Sequence, residues 1–374
     1  MATPGRLGVV VAGCGGISHC HTYALTRIPE VRLVATVDVD ESRARAFREQ
    51  YRAETHHTDL AAVLGRDDVD AVVVTTANDM HAPLSLQALE AGKHVLVQKP
   101  IALTLDEADR MIEAAERRRR KLMVSFFEFF HPAFRRAREL VEAGTIGQVF
   151  LFKAIMAWYM QRLDAWRFDP RVAGGGILMD GHVHHVAYFL HLLGDPPVES
   201  VYSEHGALNS DARVEDTGVT IVRTASAIAE ISGSNRLLEP NAQSGGHFKE
   251  LVEIYGSKGT IHIHPTDRPS LRVYAPEAGL PEELGGGWVA PRLDPTPALE
   301  RPFANHFNPD ENPWTDEHRH FVDACLNDRP VLSDGRFGRK VLEVLMAGYV
   351  SGREGRKVRL PLAAVAEPTT GGRR

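Results

Sequence analysis

LGVVVAGCGGIS, residues 7–18, decides the fold of this chain. Its first six residues form a continuous apolar run, which is typical of a β-strand buried on both faces. The glycines and serine that follow have the spacing G-x-G-x-x-small: the first glycine permits a tight turn, the second lets a pyrophosphate approach the backbone, and the small third residue lets helix and strand pack closely. A helix that begins here offers its N–H groups to phosphates. The stretch therefore predicts a dinucleotide-binding turn made of Gly13, Gly15, Gly16, Ile17 and Ser18.

An acidic residue stands at the distance from this turn that a dinucleotide site needs. Asp38 lies 20 residues after Ser18, at the end of the next predicted strand. A carboxylate there binds the adenosine ribose hydroxyls and repels a 2′-phosphate. The next residue is Val39, where an arginine would instead accommodate that phosphate. The pattern favours NAD over NADP, and a glycine-rich turn without a nucleotide is the structural alternative.

Short apolar runs alternate with helical patterns through the first third of the chain. Strands are predicted at residues 7–12, 32–38, 70–76, 94–98 and 122–126, and helices at 17–28, 41–51, 82–91 and 106–120. This alternation predicts right-handed crossovers and a doubly wound parallel sheet. We expect it to form one domain over residues 1–126.

The pattern changes after about residue 145. Several strands joined by tight turns are predicted between residues 199 and 274, which favours an antiparallel sheet. A long strand at 150–157 and a helix at 180–193 precede them; a loop over 277–313, helices at 314–327 and 335–352, and a strand at 358–360 follow. The chain is thus expected to be α/β, with a second domain over 127–364 whose last helices can pack on the first, and a disordered tail over 365–374.

The composition excludes several classes of protein. With 43% hydrophobic and 25% charged residues, the chain is neither disordered nor collagen-like. A net charge of −6 with dispersed Lys and Arg argues against nucleic-acid binding, and no apolar run reaches the roughly 18–20 residues that span a bilayer. The cysteines, Cys14, Cys20 and Cys325, are sparse, which suits a reducing compartment. We read the first apolar run as structure rather than a signal peptide, so a cytoplasmic location is expected.

Five further stretches follow the glycine turn in order: TANDMH at 76–81, AGKHVLVQKP at 91–100, GGGILMD at 174–180 with His184 after it, EDT at 215–217 and GREGR at 352–356. Together these motifs resemble the Gfo/Idh/MocA family (glucose–fructose oxidoreductase / inositol dehydrogenase) over residues 7–361. The resemblance implies an N-terminal Rossmann domain and a C-terminal domain with a large, mainly antiparallel, open-faced sheet that builds dimers or tetramers. It also implies hydride transfer between NAD(P) and a hydroxyl of a sugar, sugar derivative or cyclitol.

Lys99 is the first candidate for catalysis. It ends a predicted parallel strand, where open α/β sheets bind their ligands, and Pro100 keeps it extended. A partly desolvated ammonium can bind a substrate oxygen and tune proton transfer, although a lone lysine at a strand end is more often a surface residue. The resemblance implies that Lys99 is catalytic. Gln98 stands where the family usually has Glu, and the loss of that carboxylate alters the field around Lys99.

Asp180 and His184 are spaced i, i+4, so they share one face of the predicted helix. That face, which also carries Ala187 and His191, is turned away from the apolar stripe and can face a cleft. The resemblance implies that Asp180 contacts substrate and that His184 is the acid/base, and imidazole suits this task because its pKa is near neutrality. A solvent-facing pair is the structural alternative. His182 replaces a usual Gly and Ala187 a frequent Asp, which argues against a close match to inositol dehydrogenases.

The histidines in DGHVHH, residues 180–185, could instead suggest a metal site. His182 and His185 point away from His184 on the helical wheel, so one helix cannot converge all three on an ion. The sequence has neither H-E-x-x-H nor paired cysteines. No metal is therefore expected.

The resemblance also adds supporting residues. The expected cofactor site includes Thr76, Asn78, His81, Gln98 and Lys99. Arg167 fits an arginine that the family places near substrate, and a surface arginine is the alternative. Glu128, inside FFEFFHP at 126–132, stands where a basic residue is common; it either restores the carboxylate missing at Gln98 or marks a divergent pocket. The expected substrate contacts are Lys99, Glu128, Arg167, Asp180 and His184.

These residues predict a nicotinamide-dependent oxidoreductase that acts on a carbohydrate or cyclitol, without nucleic-acid or membrane partners, as a homodimer or homotetramer. Two alternatives remain open. One is an NAD-using glycoside-cleaving enzyme that works by transient oxidation, and the other is a non-catalytic nucleotide sensor. Lys99, Asp180 and His184 argue against the sensor.

Overall fold

The computed structural model describes residues 5–160, 166–241, 246–280, 284–294 and 312–362. Contacts within the chain divide it into two units. Unit 1 consists of Met1–Phe127, Arg171–Ala173 and Trp314–Leu342. Unit 2 consists of Glu128–Pro170, Gly174–Pro313 and Glu343–Arg374. The predicted disordered tail and part of the predicted loop at 277–313 lie outside the described residues.

Unit 1 contains a six-stranded sheet in which every pairing is parallel. Its strands are β1 Leu7–Ala12, β2 Val31–Val37, β3 Thr55–His57, β4 Ala71–Val74, β5 His94–Gln98 and β6 Leu122–Ser125. The order is β3-β2-β1-β4-β5-β6, so the direction of winding reverses between β1 and β4. In such sheets the ligand crevice opens beyond the carboxyl ends of the strands at this reversal. The predicted parallel sheet is confirmed.

The helices of this sheet's crossovers are α1 Gly16–Thr26, α2 Glu41–Tyr51, α3 Ala61–Leu64, α4 His81–Glu90 and α5 Leu105–Arg118. Local sequence explains where α5 begins and ends. Thr104 and Glu107 form a capping box at its start, and Arg119 closes it in the left-handed conformation. Arg117 and Arg118 complement the C-terminal end of the helix dipole and also pair with Glu90. The sequence analysis missed β3 and α3, because elements of three and four residues are too short to show a period.

Unit 2 begins with a helix that the sequence analysis did not predict, α6 Pro132–Glu142. Four elements follow it: β7 Val149–Trp158, α7 Pro170–Ala173 (which runs into unit 1), a π-helical turn at Leu178–His182, and α8 Val183–Leu192. The predicted helix over 180–193 is therefore present, but its first turn, at Leu178–His182, is π-helical rather than α-helical. A π-turn widens the helix by one residue there, a distortion that often occurs at functional sites.

The strands of the second sheet, after β7, are β8 Val198–Gly206, β9 Thr217–Thr224, β10 Ile228–Ser234, β11 Pro240–Asn241, β12 Gly246–Gly256, β13 Gly259–Ile263, β14 Leu271–Tyr274, β15 Trp288–Val289 and β16 Val358–Arg359. The order is β15-β14-β13-β12-β7-β10-β9-β8-β16, with β11 paired to β12. The pairing of β7 with β10 is parallel and the other pairings are antiparallel. The predicted large, mainly antiparallel sheet is confirmed.

Two helices, α9 Pro313–Leu326 and α10 Gly335–Glu354, complete the described secondary structure. Trp314 to the middle of α10 belongs to unit 1, and the remainder of α10 belongs to unit 2. No helix in the described ranges has an apolar stretch long enough to cross a bilayer.

Candidate functional site

The glycine turn connects β1 to α1. Gly13 has φ of +97°, and a Cβ there would lie 2.7 Å from the Thr75 backbone, so only glycine fits. Gly15 and Gly16 face open space, since no heavy atom lies within 4 Å of where their Cβ atoms would be. Ser18 is fully buried, and its Oγ lies 2.9 Å from Thr75 Oγ1. The turn thus packs tightly against β4 on one side and leaves its backbone open on the other, which suits a pyrophosphate.

Asp38 follows the end of β2 and is tied to this turn. Its Oδ2 accepts a hydrogen bond from Cys14 N at 2.8 Å, and its Oδ1 accepts one from Asp40 N at 2.9 Å. The carboxylate is therefore held in a fixed orientation beside the glycine turn. Burial raises the pKa of the Cys14 thiol to about 12, so this cysteine is a neutral packing group rather than a nucleophile.

The loop after β4 carries three predicted cofactor residues. Asn78 is buried and donates from Nδ2 to Ala173 O at 2.9 Å. His81 is buried between two carbonyls, with Nδ1 at 2.7 Å from Pro100 O and Nε2 at 3.3 Å from Thr76 O. Burial lowers the pKa of His81 to about 4, and the charge of Lys99 also lowers it. A neutral His81 thus contacts the carbonyls of Pro100 and Thr76, and Asn78 is bonded to the carbonyl of Ala173. These contacts fix the loop after β4, which includes the backbone of Thr76.

Gln98 is the last residue of β5 and Lys99 follows it, and the two side chains have different surroundings. Gln98 is buried, with Nε2 at 2.5 Å from His21 Nε2 and 3.4 Å from Ser125 Oγ. Lys99 is partly exposed. The residue that replaces the family's glutamate is therefore part of a buried polar cluster, and Lys99 follows it at the carboxyl end of the sheet.

Asp180 lies in the π-turn of unit 2. Arg167, in a short 3₁₀ turn at Trp166–Phe168, donates from Nε to Asp180 Oδ2 at 3.1 Å. Both side chains remain accessible, 38% exposed for Arg167 and 25% for Asp180. The structure brings these two predicted substrate residues together as an accessible ion pair.

Glu215 fixes the triple-glycine segment that leads into this turn, a role that the sequence analysis did not assign. Its Oε1 accepts hydrogen bonds from Gly176 N at 2.8 Å, Leu178 N at 3.2 Å and the Tyr349 hydroxyl at 2.6 Å. A Cβ on Gly175 would lie 1.8 Å from the Tyr349 oxygen. Glycine is therefore required where the Tyr349 side chain approaches this segment so closely. The signal available in the sequence was Glu215 itself, the first residue of the EDT motif.

His184, on the first turn of α8, contacts Glu128. Its Nδ1 lies 2.5 Å from Glu128 Oε1, and the side chains are 7% and 0% exposed. Glu128 lies in the 3₁₀ turn at Phe127–Phe130. The structure thus pairs two residues that are 56 positions apart, and it buries the Glu128 carboxylate beside the Nδ1 atom of the His184 ring.

The neighbouring histidines have separate partners. His182 Nδ1 lies 3.0 Å from Thr220 Oγ1, and His185 Nε2 lies 3.1 Å from Glu250 Oε1. Each of the three histidines at 182–185 therefore makes a different contact.

The face of α8 that was expected to point into a cleft is instead packed. His191 stacks on Phe129 with ring centroids 3.8 Å apart, and Ala187 is fully buried. The turn at Phe127–Phe130 therefore contributes both Glu128 to His184 and Phe129 to His191. The helical wheel grouped these positions correctly but could not show that a segment of the chain covers them.

Comparisons with known proteins identify families that resemble both parts of the chain. Residues 7–126 match the model of an oxidoreductase family with an NAD-binding Rossmann fold, GFO_IDH_MocA, and residues 134–262 match the model of the GFO/IDH/MocA C-terminal domain. Myo-inositol 2-dehydrogenase of Thermotoga maritima is 30% identical over 261 residues, which cover 68% of this chain and 74% of that protein. D-apiose dehydrogenase of Paraburkholderia graminis is 26% identical over 358 residues, 95% of this chain and 90% of that protein.

A solved structure is also similar over nearly the whole chain. The crystal structure of GenD2 from gentamicin A biosynthesis in complex with NAD has 28% sequence identity and a TM-score of 0.79. The similarity covers 97% of this chain and 99% of that one.

Proposed function

The chain belongs to the Gfo/Idh/MocA family of oxidoreductases, and we propose that it transfers hydride between NAD(H) and a hydroxyl or keto group of a sugar, sugar derivative or cyclitol. The contact between His184 and Glu128 carries this proposal, because it supplies an oriented imidazole for the proton that accompanies the hydride. The relatives support the substrate class, since they are named for dehydrogenation of an inositol and of a sugar.

The glycine turn and Asp38 support NAD as the cofactor. The open backbone at Gly15 and Gly16, continued by Ile17 and Ser18, would receive the pyrophosphate at the N-terminus of α1. Asp38 would bind the ribose hydroxyls and disfavour a 2′-phosphate. We assign Asn78 and His81 to holding the loop of Thr76 at the cofactor, because their side chains are bonded to backbone carbonyls.

The proton is assigned to His184. With its hydrogen on Nδ1, beside Glu128 Oε1, the imidazole would keep the Nε2 lone pair that accepts a proton. In the oxidative direction, His184 Nε2 would accept the hydroxyl proton, and NAD⁺, when bound, would supply the hydride acceptor, so that the hydroxyl becomes a carbonyl. Glu128 then stabilises the imidazolium. This makes Glu128 a positioning residue, which replaces the direct substrate contact expected from the sequence.

Lys99 and Asp180 complete the proposed machinery. Lys99 would bind the reacting oxygen and favour its deprotonated form, as a cation at a developing oxyanion does. Asp180, held by Arg167, would accept a hydrogen bond from a second hydroxyl of the substrate. A substrate with several hydroxyls matches this pairing of an acid and a guanidinium.

The proposal is tested by adding NAD⁺ or NADP⁺ to the full chain with a panel of sugars, cyclitols and glycosides, and reading absorbance at the wavelength of the reduced nicotinamide. Reduction of NAD⁺ by at least one polyol, with weaker reduction of NADP⁺, is expected. Release of an aglycone from a glycoside without net reduction would replace it with the glycoside-cleaving reaction. Binding of NAD without turnover of any substrate would favour the nucleotide sensor.

We also propose that the second sheet assembles two or more copies of the chain. Some outward-facing side chains on its strands are large and apolar, among them Phe150 at 51% and Val219 at 42% exposed. Tyr202 and Ile228 are also exposed on β8 and β10. Apolar patches of this kind commonly mark protein interfaces, and a closed dimer or tetramer is the usual result. Light scattering at micromolar concentration should give a multiple of 41.3 kDa, and a stable monomer would contradict the proposal.

A further inference from the structure

Unit 1 contains a second buried cluster of histidine and carboxylate groups. His21 on α1 and Glu317 and His318 on α9 are all fully buried. One ligand atom from each lies within 4.8 Å of the others, and His21 Nδ1 is 3.1 Å from His318 Nε2. We propose that these three residues bind a divalent transition-metal ion, with Zn²⁺ as the type ion.

The distances and donor atoms fit such an ion. Metal–nitrogen bonds of about 2.0–2.1 Å place two imidazole nitrogens on one ion roughly 3 Å apart. Two imidazoles and one carboxylate form a common ligand set for zinc and for iron(II). Neutral imidazoles present the lone pairs that a metal requires.

The outer contacts of the three residues support the same conclusion. His318 donates from Nδ1 to Trp314 O at 2.8 Å, which leaves its Nε2 directed at His21. Ser125 Oγ donates to Glu317 Oε2 at 3.0 Å. Metal-binding histidines usually donate their second N–H to a carbonyl, and metal-binding carboxylates are usually hydrogen-bonded. Two of the three candidate ligands thus already have the outer partners of a metal site.

Gln98 supplies the third outer partner. Its amide lies 2.5 Å from His21 Nε2. When Nδ1 of His21 binds metal, Nε2 carries the hydrogen, and a half-turn of the Gln98 amide presents its oxygen to that hydrogen. Without a metal, the same atoms form a hydrogen-bonded chain in which His21 Nδ1–H donates to His318 Nε2. The two states differ in the bound ion, in which ring nitrogen of His21 carries the hydrogen, and in the orientation of the Gln98 amide.

The location indicates a structural ion. Gln98 and Ser125 end β5 and β6, so the ion would tie α9 to the carboxyl edge of the parallel sheet. The complete burial of all three ligands excludes substrate, as in closed structural sites. His21 and His318 are 297 positions apart, which explains why the sequence analysis expected no metal.

The test begins with the full-length protein purified without chelator, in which elemental analysis should find about one transition-metal ion per chain. After removal by a chelator, Zn²⁺ alone should bind with a stoichiometry near one and raise Tm. Ser125→Ala should weaken Zn²⁺ affinity by roughly 10- to 100-fold, the usual effect of losing an outer partner. His318→Gln should abolish binding.

His185→Gln is the matched control, since it removes a buried histidine beside a glutamate in unit 2 and should leave Zn²⁺ affinity unchanged. Because His318→Gln could fail to fold, the wild-type titration and Ser125→Ala decide the matter independently. Absence of bound metal after purification, together with no stoichiometric Zn²⁺ binding by the stripped wild-type protein, would overturn the proposal. Unchanged Zn²⁺ affinity in Ser125→Ala and His318→Gln would overturn it as well.

Discussion

Unit 1 and unit 2 each bury a glutamate against histidine, and the two arrangements differ in how many imidazoles meet and how accessible they are. In unit 2, Glu128 contacts one histidine, His184, which keeps 7% of its side-chain surface exposed. In unit 1, Glu317 lies with two histidines, and all three are sealed from solvent. One imidazole that keeps a small exposed surface suits proton transfer, whereas two converging imidazoles and a carboxylate suit chelation. The same residue types thus serve different chemistry according to their number and access.

The sharpest test of this comparison uses two neighbours on α8. His184→Gln should lower kcat by roughly 10²–10⁴-fold, the usual cost of removing a general acid/base, with little change in NAD affinity. His185→Gln removes the fully buried partner of another glutamate, Glu250, and should retain kcat in the fraction that folds. Steady-state kinetics with calorimetric measurement of NAD binding distinguish them. An equal loss of kcat in both variants would contradict the assignment of His184 as the acid/base.

His182 is a buried histidine whose contact is a hydroxyl, that of Thr220, rather than a carboxylate. Burial lowers its pKa to about 3, so it stays neutral in the folded chain while an unfolded histidine binds a proton below about pH 6.5. The unfolded state therefore binds more protons, and the stability from this group falls as pH drops from 6.5 towards 3, by roughly 2 kcal/mol at pH 5. Thermal unfolding of His182→Gln should depend less on pH in this range. A pH dependence identical to that of the parent would contradict the assignment.

Glu128→Gln tests the unit 2 pair from the carboxylate side. The amide keeps the size of the side chain but removes the charge that stabilises the imidazolium, so kcat should fall by at least about tenfold. KM should change less than kcat. A loss confined to KM would instead make Glu128 a substrate contact.

Asp38→Ala is expected to have the smallest effect. The ratio of NADP to NAD dissociation constants should shrink by about tenfold, since a hydrogen-bonded carboxylate facing ribose contributes an energy of this order. The carboxylate also binds Cys14 N and Asp40 N, so NAD binding itself should weaken. Calorimetry that shows tighter NADP binding by the unmodified protein would defeat the cofactor assignment.

The sequence predicted those features that depend on local spacing. The glycine turn, Asp38 and the alternation of strands and helices lie within short segments, and the parallel and antiparallel sheets were predicted correctly. The pairing of Glu128 with His184 could not be predicted, because it depends on how a 3₁₀ turn packs on a helix 56 positions later. A single acid within the aromatic stretch at 126–132 was the available signal, since a buried carboxylate needs a partner. Helix α6 was missed because the sequence analysis assigned no secondary structure between residues 127 and 149.

The segment that follows α9 has a consequence for how the chain is made. Ser333 O accepts a hydrogen bond from Val124 N at 2.8 Å, and Ser333 Oγ donates to Val124 O at 2.6 Å. Asp334 also bridges to Met123, so this short segment covers the outer edge of β6. A ribosome delivers β6 more than 200 residues before Ser333, and during that interval the nascent parallel sheet has an uncovered edge. Uncovered edges pair with other chains, so the edge of the nascent sheet needs protection until Ser333 has been synthesised.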